Sequence, residues 1–437
     1  MSKRCGFPVT TILLGALVGC GLPLAEIRTA AESGDLEQAI RLARGELEGL
    51  QAAGRGTIVR LQSDQTSRLA ALEALDLAPA TASELLAGWA APDSTVGETT
   101  RTFAQARLAE LEGGGFAEEL GAARESDDPL VRAYALRGLI AGGLAPERML
   151  AAVADDAPQV RAAAARGLVR AADAGRLPDA VRQALRPLVD GAPDVEVRAQ
   201  LAGLLDPTDA GDLASLVALL GAERPALRMA AARALGRLPD PRVVPEAAAL
   251  LDAEVAPAGL ALALAAGRRG LTGLRDAYLA RIFAGTPTDD PLRTGALLGI
   301  EDGDDARALW QAALADGGPA EKTAACERLL AAEQDEDPCR DTLRGVATGG
   351  GAPEASLSAA EILFEEGDPA AAGWLRSFAA DGEPAVRRRI MSGAAARRYD
   401  ADLIAIGLAD PEPSVSAAAA VAALRVPDPL ARPGVAP

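Results

Sequence analysis

Residues 128–139 read Asp128-Pro129-Leu130-Val131-Arg132-Ala133-Tyr134-Ala135-Leu136-Arg137-Gly138-Leu139, and this stretch decides the fold. An acidic residue comes first and can cap a helix. Proline follows, in the first turn, where its missing N–H costs nothing. Alanine and leucine then recur at helical spacing and give a narrow apolar face. A second copy opens with Asp156-Ala157-Pro158-Gln159-Val160-Arg161 and runs through alanines to Gly167-Leu168. Others start near Pro193, Pro225, Pro257, Pro291, Pro319, Pro353, Pro384 and Pro413, with successive prolines 28 to 35 residues apart.

An interval of about 32 residues holds two helices and two turns. The second helix of the pair is expected at Pro178–Val189, Leu213–Leu220, Val243–Leu251, Leu274–Phe283, Ala306–Ala315 and Ala370–Ala379. One such hairpin cannot bury its apolar face alone, so neighbours must stack. The expected fold is an all-α solenoid of about ten hairpins over residues 126–425, without strands. First helices should start at the ten prolines or one residue before.

Composition agrees. Hydrophobic residues make up 49% of the 437, yet aromatics only 3%. A sheet protein would draw on Val, Ile, Thr and aromatics instead of Ala and Leu. Acidic residues outnumber basic ones, 62 against 44, for a net charge of −18. Such a chain has no general attraction for nucleic-acid phosphate or anionic lipid. It contains no histidine, which removes the commonest general base and metal ligand. No catalytic residues, cofactor or metal are expected.

The Asp-x-Pro-x-Val-Arg opening with its following Ala-Leu-Gly resembles the HEAT family, in the short variety of the phycobilisome lyases. The resemblance covers roughly residues 127–425 and implies a right-handed superhelix. In that family the arginine pairs with an aspartate of an adjacent repeat, forming a ladder. It stands three residues after proline at Arg132, Arg161, Arg228 and Arg387, is displaced at Arg198 and Arg293, and is replaced once by Lys322. The units at Pro257, Pro353 and Pro413 lack it. Those at Pro257 and Pro413 should therefore open before the units around Pro129 to Pro225.

The chain begins MSKRCGFPVTTILLGALVGC. Lys3 and Arg4 precede an apolar run from Phe7 to Gly19, too short to span a bilayer. Leu17-Val18-Gly19-Cys20 resembles the lipobox of bacterial lipoproteins. The resemblance implies a signal peptide over 1–19 and a diacylglycerol on Cys20. Two or more acyl chains make attachment stable. Gly21 after the cysteine favours the outer membrane, facing the periplasm, by the rule of that family.

Residues 20–125 are helical in pattern but off the period, an irregular N-terminal cap. Ala31 to Ile40 resembles a tetratricopeptide or ankyrin turn, or else belongs to a degenerate capping pair. Gly113-Gly114-Gly115 is the candidate boundary. Residues 426–437 contain four prolines and are expected to be an unstructured tail.

Cys326 and Cys339 remain after processing, as a disulfide or as two free thiols. Against a bridge, Cys326 is expected about 10 Å below the end of its helix, beyond disulfide reach. Trp310 and Trp374, on second helices, are candidate interface anchors or inter-repeat packing, as is Trp89. Arg387-Arg388-Arg389 with Arg397-Arg398 forms a basic patch, a seat for an acidic partner or phosphate-bearing lipid, or simply ladder and solvent positions. The acidic run Glu333 to Asp337 reads as a solvated turn. The expected function is a membrane-tethered scaffold for an unidentified protein partner. The alternatives are an enzyme or enzyme partner, by analogy with the lyases, or a structural spacer.

Overall fold

The computed structural model describes residues 36–252, 255–349, 353–395 and 400–426. Cys20, Arg397 and the tail from Pro427 lie outside the described residues. Among the described residues every regular element is a helix and there is no strand. In chain order these are α1 (Leu36–Arg60), α2 (Gln65–Asp76), α3 (Ser83–Ala90), α4 (Glu98–Glu112), α5 (Ala117–Ala123), α6 (Pro129–Ala141), α7 (Pro146–Ala152) and α8 (Pro158–Asp173). Next come α9 (Asp179–Gly191), α10 (Val195–Ala202), α11 (Ala210–Leu220), α12 (Pro225–Leu235), α13 (Pro245–Asp252), α14 (Pro257–Arg268), α15 (Thr272–Gly285) and α16 (Pro291–Gly299). The last are α17 (Asp304–Asp316), α18 (Pro319–Ala331), α19 (Glu336–Thr348), α20 (Pro353–Glu365), α21 (Ala371–Asp381), α22 (Pro384–Ile390), α23 (Ala401–Leu408) and α24 (Pro413–Arg425).

The chain divides into two compact units, Ala87–Thr342 and a second that joins the residues up to Leu86 with those from Leu343 onward. Both are stacks of helical hairpins, the solenoid arrangement. In the first, the even-numbered helices α4 to α18 form a row, each against the next. The odd-numbered helices lie against that row. Alanine and leucine do this work. In α8, Val160, Ala163, Ala164, Ala165, Leu168 and Ala171 are all buried. Gly138 shows how close the row packs. A Cβ there would come 2.8 Å from the Ala106 Cα and 2.6 Å from the Leu120 side chain, so a larger residue would force the helices apart.

Nine of the ten repeat prolines are themselves the first residue of a helix. Pro193 is the exception, since α10 starts at Val195. The carboxylate of Asp194, the residue before it, is held by Arg161 at 2.5 Å. Asp194 thus takes the place before the helix, and Pro193 falls in the preceding turn. Arg198 is then three residues into its helix, as Arg132 is in α6. The proline was displaced, not the arginine.

The glycine run is a turn. Gly113, Gly114 and Gly115 have φ of 74°, 146° and 110°, a left-handed path open to residues without a Cβ. It connects α4 to α5, and α4 packs on α6 as one first helix on another. The stacked row therefore reaches back to residue 98, into the stretch expected to be irregular.

In the second unit, α20 to α24 form hairpins. Met391 to Ala395 extend α22 as a π-helical turn. Here α1 and α2 lie on α24, so the N-terminal helices cover the last repeat of the chain. Among the described residues no single helix is long and apolar enough to cross a membrane.

Candidate interaction surface

The repeated arginines do two jobs. Each first ties down the turn in front of its own helix. Arg132 Nη1 donates to the carbonyls of Ser126 and Asp127 at 2.9 and 3.2 Å. Arg161 does so to Asp155 and Asp156 at 2.7 and 2.8 Å, and Arg228 to Ala222 and Glu223 at 2.7 and 2.8 Å. Arg198 reaches Val189, Arg293 reaches Phe283 and Thr286, and Arg387 reaches Gly382. Most of these carbonyls lie in the turn after a second helix, where no backbone N–H of a regular helix serves them, and the guanidinium supplies the donor.

Only four of the six then pair with a carboxylate of the next repeat. Arg132 meets Asp155 at 3.0 Å, Arg161 meets Asp194 at 2.5 Å, Arg293 meets Glu321 at 2.7 Å and Arg387 meets Asp410 at 2.7 Å. The hydrogen bond from Arg161 holds the Asp194 carboxyl below its ordinary value. Burial pushes Asp155 up, but the Arg132 guanidinium and the Ala157 N–H outweigh it, leaving Asp155 lowered too. Arg198 and Arg228 have no carboxylate partner among the described residues. The residue before the next first helix is Arg224 in one case and Ala256 in the other.

Two units without the arginine carry substitutes. Ser356, three residues after Pro353, donates to the Val346 carbonyl at 3.0 Å. At Pro257 the Tyr278 hydroxyl accepts from the Ala256 N–H at 2.9 Å and donates to its carbonyl at 3.2 Å.

A second ladder runs along the second helices and was not anticipated. Arg186 on α9 reaches Asp209 and Asp212 at 2.6 and 2.8 Å. Gln311 on α17 donates to Asp335 at 2.9 Å. Arg344 on α19 meets Asp368 at 2.7 Å, and Arg376 on α21 meets Asp400 and Asp402 at 3.4 and 2.9 Å. Each donor follows a fully buried residue, Leu185, Trp310, Leu343 or Leu375. The signal in the sequence is a Leu-Arg dipeptide with an aspartate 23 or 24 residues further on.

That register disposes of Trp310 as a surface anchor. It is 0% exposed, its Nε1 donates to the Leu297 carbonyl at 3.0 Å, and the Arg328 guanidinium lies 5.2 Å from its ring centroid. It fills the place leucine takes in other repeats. Trp89 is buried as well, and Trp374 is half-buried.

The basic patch is likewise consumed internally. Arg387 is held by Asp410, Arg388 by Glu73 at 2.6 Å, and Arg389 by Glu361 at 2.6 Å. Arg397 lies outside the described residues. The acidic run is only half a turn, since Glu336 and Asp337 form the first turn of α19, where carboxylates favour the helix dipole.

Cys326 on α18 and Cys339 on α19 are free thiols with no solvent exposure. The Cys326 Sγ donates to the Cys339 carbonyl at 3.6 Å. The neighbouring Cys339 thiol, and burial with it, push the Cys326 thiol up. Because α19 begins at Glu336 rather than after Pro338, Cys339 sits beside Cys326 without a long fold-back.

An open groove of about 770 Å³ crosses α8, α10 and α12. Val169, Val195, Ala199 and Met229 lie along it, all half-buried. Arg182, Arg233 and Arg237 stand at its edge, with Asp173 and Glu196. Among the described residues, no cluster of three or more Cys, Asp or Glu side chains is placed to hold a metal ion. No protein-family model matches the chain, and no curated protein matches it in sequence.

Proposed function

We propose that this chain is a lipid-anchored protein of the cell envelope that serves as a scaffold for a protein partner. The observation that carries the reading is the open groove across three successive first helices, a long shallow surface rather than an enclosed pocket. Stacked hairpins present such surfaces to peptides and proteins. The HEAT-like repeat opening supports the same reading. Leu17-Val18-Gly19-Cys20 supports an anchor at Cys20, with the outer membrane, periplasmic side, as its place.

Two experiments test it. Cys20→Ser should lose radiolabelled palmitate and move from the membrane to the soluble fraction. Unchanged fractionation of the mutant removes the anchor. Affinity purification from detergent-solubilised envelopes should recover one partner in fixed stoichiometry that survives gel filtration. Recovery of the chain alone removes the scaffold.

A further inference from the structure

We infer that the groove across α8, α10 and α12 takes an amphipathic peptide segment of its partner, with aliphatic residues on one face and carboxylates along one edge. The inference rests on the scaffold reading and narrows it to one surface and one chemistry.

The floor sets the apolar half of the requirement. Val169 comes from α8, Val195 and Ala199 from α10, and Met229 from α12. Three successive repeats thus supply one strip of small and aliphatic side chains. Small residues let a partner backbone approach closely, and methionine adapts its shape to what lies on it. Segments with apolar anchors at i, i+3, i+4 and i+7 dock into grooves of this kind.

The rim sets the polar half. Arg237 is already engaged, donating to the Gly203 carbonyl at 2.7 Å and to that of Leu205. Arg182 and Arg233 form no ion pair and no side-chain hydrogen bond among the described residues. This sets them apart from the first-helix arginines described above, each of which is bonded to carbonyl or carboxylate. Three guanidinium groups and two carboxylates line the rim, and Asp206 acts on Arg182 and Arg237 from beside it, on a chain of net charge −18. On the groove lining, the buried Gln200 Oε1 also has no hydrogen-bond partner. A partner with carboxylates along one edge gives Arg182 and Arg233 the hydrogen-bond acceptors they lack, and the acidic remainder of the surface repels it elsewhere. Charge of this kind sets specificity and register more than raw affinity.

The test uses the full chain and two fluorescein-labelled amphipathic peptides of about 14 residues. One carries glutamates beside its leucine face, and its twin carries glutamines. Fluorescence anisotropy should show the glutamate peptide binding, with about tenfold weaker binding of the twin. The double variant R182E/R233E should lose the glutamate peptide to a similar extent, with an unaltered far-UV spectrum. A lysine peptide that the native chain ignores should gain affinity for this variant. No binding of the glutamate peptide, or equal binding of both peptides, overturns the inference, as does equal binding by native and variant chains. If the peptides fail while the stoichiometric envelope partner still co-purifies with R182E/R233E, the groove is refuted and the scaffold stands. If no partner is recovered at all, the scaffold itself has failed.

Discussion

Gln51 Nε2 donates a hydrogen bond to the carbonyl of Val426 at 3.1 Å, joining residues 375 positions apart. Arg425 repeats the tie, donating to the Leu77 carbonyl at 3.1 Å. Between these bonds α1 lies along α24, and every residue of α24 from Val415 to Ala423 is buried. The Pro413 repeat lacks its arginine and was expected to open early. There α1 and α2 lie over the repeat.

Gly54 makes the approach of those helices close. A Cβ there would stand 2.9 Å from the Ala420 carbonyl and 3.1 Å from the Ala423 Cβ. Gly54→Leu should cost about 2 kcal/mol through overpacking. Hydrogen exchange should rise together in α1 and α24. Unchanged protection of residues 413–425 would refute the close contact.

Arg161 is 8% exposed and holds Asp194 together with two carbonyls. Arg161→Ala should destabilise by about 2 kcal/mol, because it leaves a carboxylate and two turn carbonyls without their donor. Arg242 bonds only Asp240, two residues away, and is 60% exposed. Arg242→Ala is the control and should leave the denaturant midpoint almost unmoved. Equal shifts in the two variants would sink the ladder account.

The same pair fixes a pH dependence. The Asp194 and Asp155 carboxyls titrate below their ordinary value of 3.8 in the folded chain. A carboxyl lowered by folding stabilises above its unfolded pKa, and that contribution is lost as pH falls through the folded one. The difference in Tm between native protein and Arg161→Ala should be constant near neutrality and shrink below about pH 4. A difference that persists undiminished at lower pH means the arginine acts by packing alone.

The second-helix ladder predicts coupling that a surface pair would lack. The Asp368 side chain is 4% exposed, though that of Arg344 is 48% exposed. A double-mutant cycle of Arg344→Ala and Asp368→Ala should give a coupling of about 1 kcal/mol, reduced by the arginine's exposure to solvent. Strict additivity would show the contact contributes nothing.

Cys326 and Cys339 face each other in one hairpin and should close into a disulfide in an oxidising compartment. Two thiols would pass two hydrogens to a dithiol–disulfide oxidant, lowering the intact mass by about 2 Da and stabilising the hairpin by about 3 kcal/mol. Two thiols titrated by maleimide after denaturation of protein taken from that compartment would exclude the bond.

Much of this architecture was legible because proline at the first helical position is a local signal. Pro129, Pro158, Pro225 and the others mark helix starts without reference to the rest of the chain. Pro193 misled because proline is equally at home in the turn before a helix, and only the hold of Arg161 on Asp194 distinguishes the two. The first-helix arginines were visible through their fixed offset from proline. Their bonds to turn carbonyls were not, since a carbonyl leaves no mark in the residue letters. Leu185-Arg186, Leu343-Arg344 and Leu375-Arg376 carry a weaker signal, blurred where Gln311 stands in for arginine. The placement of α1 on α24 had no signal at all, because nothing local relates residue 51 to residue 426.

That placement has a consequence in time. A ribosome releases α1 hundreds of residues before α24 exists, and a translocase would deliver it in the same order. Its apolar face must wait, unpartnered, until the last repeat arrives. Pairings this distant are slow to form and leave sticky intermediates. A chain broken off before Val426 would keep Gly54 and its neighbours bare, so this unit closes only after the repeat at Pro413 has been made.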